Sequence, residues 1–339
     1  MTMRRPSMKE LAERLGVDRS TISRALSEDK AHLVAPETRE KVRKMAVDSG
    51  YRPDLTAAAL RRGRSQTVGV LVPDLENETF INVIRTIIGS LNSGDGTPAT
   101  TPLIAETQDR PSAAQRLIET YLSRRVDAII SLASTEADEE ILAEAAREVP
   151  VILAVRSLAA LSLPSALCDD REGGAIVARY FAERGHKTVC QVRGPLLATT
   201  FNNRAQGFSA VCAEKGIKEP PEAIHAEHAT SAAGKKTLDA VLQTSPRPTA
   251  IFAHNDALAI GLIEAIRERG LRIPEDIAVA GFNDIKMAQV LATPLTTVAY
   301  PIEEVGEHAA QLVRSLITGD PAPGQSVPFI PKLVIRRTT

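Results

Sequence analysis

Residues 7–26 read SMKELAERLGVDRSTISRAL, and their spacing organises the first part of the chain. Ser7 followed three residues later by Glu10 is a capping box, in which the hydroxyl accepts from the third backbone N–H of a helix and the carboxylate reaches back to the first. Leu11 and Leu15 share one face of that helix, and Gly16 ends it. Asp18 stands where it can cap a second helix, from Arg19 to about Leu26, in which Ile22 and Leu26 repeat the four-residue spacing. Only Gly16-Val17-Asp18 separates the two, so the helices must cross steeply as a helix-turn-helix, with Arg19, Ser20, Ser23 and Arg24 on the outer face of the second. Pro36 marks the first turn of a third helix, Val42, Met45 and Ala46 give it an inner face, and Gly50 stops it. A three-helix bundle that docks a protein would satisfy the same pattern. The outward row of Arg, Ser and Thr after a tight turn favours DNA.

Charge and composition set the frame around this headpiece. Residues 1–64 hold 15 Lys and Arg against 9 Asp and Glu, a net +6, which leaves −7 for the remainder of a chain whose total is −1. A basic module on an acidic body suits nucleic acid for the module and another partner for the body; solvated Arg-rich helices are the bland alternative. At 339 residues with 43% hydrophobic and 24% charged composition, the chain has room for one small and one or two ordinary domains. No run of eighteen apolar residues and no secretory pattern is visible, so no membrane partner and a cytoplasmic location are expected. Cys168, Cys190 and Cys212 are odd in number and widely spaced among small or apolar neighbours, as suits buried thiols, with no disulfide or metal.

From Gln66 onward short apolar runs alternate with helical stretches: TVGVLVP then TFINVIRTIIGSL, PLIAET then SAAQRLIETYL, VDAIISLA then DEEILAEAARE, then VPVILAV. A second series from about Cys168 to Ala292 contributes the strands TVCQVRG, TAIFAHN and IAVAGFN, and Thr296 to Leu316 reads as another strand and helix. Such βαβ alternation predicts parallel sheets covered by helices, in two similar lobes, with ligands at the carboxyl ends of the strands and a cleft between the lobes. The fold class is therefore an all-α helix-turn-helix headpiece joined to an α/β two-lobe domain. No catalytic residues, metal ligands or cofactor site emerge. ATSAAGKKT at 229–237 departs from a phosphate loop at Ala229 and at the Lys after Gly-Lys, and reads as a helix start; the six histidines, His225 and His228 among them, have no ligand spacing. An enzyme is not expected.

Met8 to Leu26, the Pro36-Glu37-Thr38-Arg39 helix start, Tyr51-Arg52-Pro53 and Ala57 to Leu60 together resemble the lactose-repressor/galactose-repressor (LacI/GalR) family of transcriptional regulators. The resemblance runs on through Val68-Gly69-Val70-Leu71-Val72-Pro73-Asp74, Asn255-Asp256-Ala257-Leu258-Ala259, Gly281-Phe282 and Pro294-Leu295-Thr296-Thr297-Val298. It implies a headpiece at 1–53, a hinge at 54–64 and an effector-binding and dimerisation domain at 65–339 that resembles periplasmic sugar-binding proteins. Lobe 1 is then expected at about 65–163 plus 294–320 and lobe 2 at about 164–293 plus 321–339. By position, Arg19, Ser20 and Arg24 would read base edges of operator DNA, and Ser7, Thr21, Ser23 and Arg61 would hold its backbone. Arg24 can place two parallel bonds on guanine O6 and N7, whereas a serine hydroxyl discriminates weakly. Ala57 and Leu60 would enter the minor groove, with the paired leucines of a homodimer bending the duplex. On composition alone, DLTAAALRRGR at 54–64 is equally a basic linker.

The resemblance also implies a repressor of palindromic operators, controlled by a small-molecule effector held by Asp74, Phe80, Arg204, Asn255 and Asn283. Arg204 offers a fork of donors, and the asparagines can donate and accept; Arg204 could instead serve a structural ion pair, and Asp256 is the expected helix cap after Asn255. Three positions depart from sugar-binding relatives: Val155 before Arg156 replaces an Asp, Ala229 an aromatic platform, and Asn283 an Asp. With no Trp and 3% aromatic residues, stacking a ring is harder to arrange. A small acidic metabolite, a phosphorylated compound and an unusual sugar all stay open as effectors. A regulator answering to a partner protein as corepressor is the alternative reading.

Overall fold

In the computed structural model, which describes residues 6–27, 30–51, 63–93, 100–320, 324 and 326–339, contacts divide the chain between Ser65 and Gln66. The first unit is built from helices α1 (Met8–Leu15), α2 (Arg19–Ala25) and α3 (Pro36–Asp48). Ser7 Oγ accepts from Glu10 N–H at 3.2 Å while Ser7 N–H donates to the Glu10 carboxylate at 2.6 Å, so the capping box is formed at both ends. Gly16 closes α1 at φ 63°, a left-handed conformation in which a Cβ would be strained. Asp18 occupies the N-cap of α2, yet its side chain makes no cap bond, contrary to expectation; only its carbonyl accepts, from Thr21 and Ile22 N–H. Helices of 8, 7 and 13 residues are marginal alone, and a shared core ties them together. Leu11, Ile22 and Val42, each 0% exposed, form its centre, with Ala12, Ala25, Ala46 and Tyr51 around them.

The second unit begins with β1 (Thr67–Val72), α4 (Glu78–Leu91), β2 (Thr101–Glu106), α5 (Pro111–Ser123), β3 (Ala128–Ser131), α6 (Glu139–Ala145), β4 (Val151–Ala154) and β5 (Ser165–Cys168). It continues with α7 (Asp170–Glu183), β6 (Val189–Arg193), α8 (Thr199–Lys215), β7 (Ile224–His225), α9 (Ser231–Gln243), β8 (Ala250–Ala253), α10 (Asp256–Glu268) and β9 (Ala278–Ala280). Last come α11 (Lys286–Val290), β10 (Thr297–Ala299), α12 (Ile302–Thr318), β11 (Ser326–Phe329) and β12 (Lys332–Val334). One six-stranded parallel sheet runs β2-β1-β3-β4-β5-β11. Alternate residues of β1 face opposite ways: Val68, Val70 and Val72 pack toward α4 and α12, and Leu71 toward Ile118 and Tyr121 of α5. A four-stranded parallel sheet runs β7-β6-β8-β9, extended by single bridges from Ala280 to Thr296 and from Asn283 to Ala299 toward the antiparallel pair β10-β12.

The chain passes between the lobes three times, and the passages differ from the lobe bounds expected at about 163/164, 293/294 and 320/321. They fall at Cys168–Asp170, Tyr300–Pro301 and Ile330–Pro331, because β5 and β11 pair with each other and with β4 in the first sheet, while β10 and β12 belong to the second. Residues 165–168 and 326–329 thus move from lobe 2 to lobe 1, and 294–299 from lobe 1 to lobe 2. The three cysteines are buried, with burial pushing the thiols of Cys190 and Cys212 up to about 12 and that of Cys168 higher still.

Candidate functional site

On α2, burying Ile22 and Ala25 against the headpiece core turns Arg19, Ser20 and Arg24 outward, all three exposed, with Thr21 and Ser23 half-buried at their flanks. Ser20 and Arg24 are four residues apart and share one stripe of the surface. Ser7, exposed just before α1, uses its oxygen to accept within the capping box and keeps its O–H free to donate. Ala57, Leu60 and Arg61 lie outside the described residues.

The second site is a cavity of about 570 Å³ between the lobes of the second unit. Its walls are loops at the carboxyl ends of β1, β2 and β4 on one side and of β6, β8 and β9 on the other, where parallel sheets place ligands. These loops hold strained backbone: Gln108 and Asp109 at φ 53°, Val155 at 68° and Asn283 at 115°. A β-branched residue in the left-handed region costs about 1–3 kcal/mol, and such strain gathers where a site dictates side-chain direction.

Asp74, Phe80, Arg204, Asn255 and Asn283 all line this one cavity, but their free chemistry differs. Arg204, 4% exposed, donates from Nε to Asp170 at 2.7 Å and from Nη1 to the His254 carbonyl, and its guanidinium lies 3.6 Å from the centre of the Phe282 ring. Burial pushes the Asp170 carboxyl up and Arg204 draws it back. Close helix packing creates this junction: a Cβ on Gly174 of α7 would meet the Arg204 carbonyl oxygen at 2.0 Å, and one on Gly207 of α8 the Arg171 carbonyl oxygen at 1.8 Å. Asn255 is the N-cap of α10, its Oδ1 accepting from Leu258 N–H at 2.8 Å while Nδ2 donates to the Ala229 carbonyl at 2.9 Å. Asp256 is therefore not the cap. It is the first helical residue, 0% exposed, and accepts from Thr297 Oγ1 at 2.5 Å and Ile285 N–H at 2.8 Å. Asp74 accepts from Glu76 N–H at 2.7 Å through one carboxylate oxygen, and the Asn283 side chain has no partner among the described residues.

Arg156 and Thr79 also line the cavity, together with Phe201 and Tyr300. Arg156 is held end-on by Asp109, with N–O distances of 2.5 and 3.1 Å, and lies 5.9 Å from the centre of the Phe80 ring. An Arg at a strand end was the sole sequence signal for it. Phe80, Phe201 and Tyr300 give the cleft an aromatic lining that 3% aromatic composition concealed, since composition does not say where a few rings gather. Burial, with Cys168 and Asp170 nearby, holds the Tyr300 phenol well above its ordinary range. Buried His254 lies well below its own, mainly through burial with Arg204 alongside, and is neutral. Among the described residues no cluster of His, Cys, Asp and Glu is placed to hold a metal ion, and no helix is long and apolar enough to cross a membrane.

Residues 7–54 match the model of bacterial regulatory proteins of the lacI family, and residues 178–339 that of a periplasmic binding protein-like domain. The HTH-type transcriptional repressor CytR of Escherichia coli (strain K12) is 29% identical over 335 residues, 98% of this chain and 96% of that protein. The HTH-type transcriptional repressor PurR of Proteus mirabilis (strain HI4320) is 29% identical over 334 residues, again 98% and 96%. Among solved structures, the lac repressor dimer bound to operator and the anti-inducer ONPF superposes with a TM-score of 0.83 at 23% identity, over 99% of both chains. A LacI-family regulator from Silicibacter pomeroyi gives 0.82 at 25%, over 98% of this chain and 99% of that one. With a lacI-type headpiece ahead of a two-lobed periplasmic-binding-protein-like unit, and repressors aligned along nearly its whole length, this chain is a DNA-binding transcriptional regulator of the LacI/GalR family.

Proposed function

We propose that the chain is a repressor that binds a two-fold symmetric operator as a homodimer and is controlled by a small molecule in the inter-lobe cleft. The exposed row Arg19, Ser20 and Arg24 carries the reading, because a short helix that buries Ile22 and Ala25 and follows a three-residue turn is shaped for the major groove. Arg24 takes guanine and Ser20 a neighbouring base edge, with Ser7, Thr21, Ser23 and Arg61 on phosphates. Two headpieces are needed because one α2 covers only a half-site. Ala57 and Leu60 of the segment 54–64 then serve the minor groove. The headpiece extends over 1–53 and the effector and dimerisation domain over 65–339. In the cleft, Asp74, Phe80 and Asn283 are ligand contacts. Arg204 and Asn255 shape the wall they belong to, with Arg204 Nε and Nη1 and one Asn255 Nδ2 N–H already donating to protein acceptors and the remaining N–H groups left for a ligand. Closure of the cleft on its ligand shifts operator affinity by a coupling of about 1–3 kcal/mol.

Operator selection from random DNA, followed by fluorescence anisotropy of the selected duplex, tests this reading. A symmetric site bound at one dimer per duplex, with affinity altered by a metabolite, is the expected result. Binding without sequence preference would overturn the headpiece assignment. Affinity that answers only to an added protein would replace the small molecule with a protein corepressor.

A further inference from the structure

The carboxyl ends of β1, β2 and β4 face those of β6, β8 and β9 across the cleft, so the amino ends of the two sheets form opposite poles of the second unit. The chain enters at the lobe 1 pole, through Gln66 into β1. Beside that entry stands the turn from α5 to β3, residues 124–127. Asp127 N–H donates to the Thr67 carbonyl at 2.8 Å, and Asp127 Oδ2 accepts from Gln66 N–H at 2.7 Å. The turn carries Arg124 and Arg125, both exposed, and neither side chain has a hydrogen bond or ion pair with any described residue.

Arg125 also holds a backbone position that other helices of the chain give to glycine. α3, α7 and α10 each end in a cap residue followed by a left-handed glycine, Gly50, Gly185 and Gly270 at φ 66°, 85° and 71°. α5 ends the same way with Arg124 at the cap and Arg125 at φ 55°. A cation at the cap is favoured by the helix dipole, which accounts for Arg124 as it does for Arg184 and Arg269 at the caps of α7 and α10. The dipole gives no reason for a long side chain at the left-handed position, where glycine is the less strained residue. What the position does supply is a second free guanidinium beside the chain entry.

The segment that leads to this entry is itself basic, RRGR at 61–64. Arg61 precedes Gln66 by five residues, so its backbone lies at most about 18 Å from that of Gln66. A polyanion gripped by the segment is thereby tethered close to Arg124 and Arg125. The carboxylate of the turn, Asp127, is half-buried and engaged with Gln66.

Resting on the reading of the chain as a repressor whose segment 54–64 meets DNA, we infer that the lobe 1 pole is a further DNA contact. Arg124 and Arg125 take phosphate oxygens of the duplex beside that segment. A guanidinium fork matches phosphate oxygens, and contacts of this kind add affinity without reading sequence. The domain that senses the effector then has its own hold on the duplex, alongside that of the headpiece.

The full chain, titrated by fluorescence anisotropy against operator and random duplexes at several salt concentrations, tests the contact. Arg124→Gln and Arg125→Gly should each lower the slope of log affinity against log salt by about 1 per protomer, and weaken both duplexes by the same factor. Arg125→Gly also relieves the left-handed backbone, so its Tm should hold or rise, which separates a lost contact from lost folding. Arg184→Gln removes the same charge from the lobe 2 pole and should keep the wild-type slope. Slopes for the two lobe 1 variants that match wild type overturn the inference. A fall no larger than that of Arg184→Gln overturns it too, as an effect of net charge alone. So does a loss confined to the operator duplex with the slope unchanged. The repressor reading fails separately: wild type would then bind without sequence preference, and the slopes on random duplex would still decide the phosphate contact.

Discussion

Replacing Asp170 by Asn leaves Arg204 buried with its charge uncompensated, and the structure sets the size of the effect. Two unit charges about 4 Å apart attract by ~4 kcal/mol at an effective dielectric of 20. The Asn carbonyl still accepts from Nε, which retains about 1 kcal/mol, and Arg204 keeps the His254 carbonyl and the Phe282 face. A net loss of about 3 kcal/mol follows, at the lower edge of the range for breaking a buried ion pair from one side. For a unit of this size that lowers Tm by about 6 °C or slightly more. Scanning calorimetry of Asp170→Asn, Arg204→Met and the double variant gives the coupling directly. The double variant should recover at least about 1 kcal/mol relative to the sum of the singles, because it removes both charges. Singles that each cost under about 1 kcal/mol, or strict additivity, would refute the view of Arg204 as a committed structural group and return it to the ligand.

Arg24→Ala should weaken specific operator binding by about 1–3 kcal/mol with little change on random DNA, and equal losses on both in anisotropy titrations would reduce Arg24 to a phosphate contact. Ser7→Ala should destabilise the headpiece by about 0.5–2 kcal/mol in urea melts through loss of the capping box, and no change would mean that Glu10 alone holds the helix start. Burial raises the Asp256 carboxyl to about 7, well above its unfolded value, so the stability tied to its protonated form is complete below about pH 4 and declines as pH rises through 7. Denaturant midpoints taken across that window should therefore fall more steeply with pH in wild type than in Asp256→Asn, and parallel curves would show that Asp256 does not titrate there. Leu60→Ala should reduce both operator affinity and DNA bending in circular-permutation gel shifts, and a variant unchanged in both would leave 54–64 as a plain linker.

What could be read from the sequence was what neighbouring residues decide among themselves. The capping box, the Gly16 turn and the Ile22 face need only a few residues each, and α1 and α2 stand where their spacing puts them. The strands of the two lobes were legible because parallel strands buried on both faces are continuous apolar runs. The passages between lobes were misplaced because Ser165–Cys168 and Ser326–Phe329 are too short to state their partner; pairing with each other and with β4 is settled by contacts far away in sequence. Two adjacent cap-forming residues, Asn255 and Asp256, differ only by where β8 ends, and that register gave the cap to Asn255. Arg156 and Asp109 are 47 residues apart, and Arg204 and Asp170 are 34 apart, so nothing local announced which arginine was already spoken for.

The three strands of chain that join the lobes carry a mechanical consequence. Two bodies tied at one point can swing, twist and slide against each other. Tied at Cys168–Asp170, Tyr300–Pro301 and Ile330–Pro331, they lose most of that freedom, and opening or closing of the cleft is expected to be the softest coordinate left. A probe pair placed across the lobes, such as spin labels at Leu75 and Leu197, both exposed, then reads that whole coordinate as a single distance. On the proposed function, a ligand of any shape would act on the headpiece mainly through that opening.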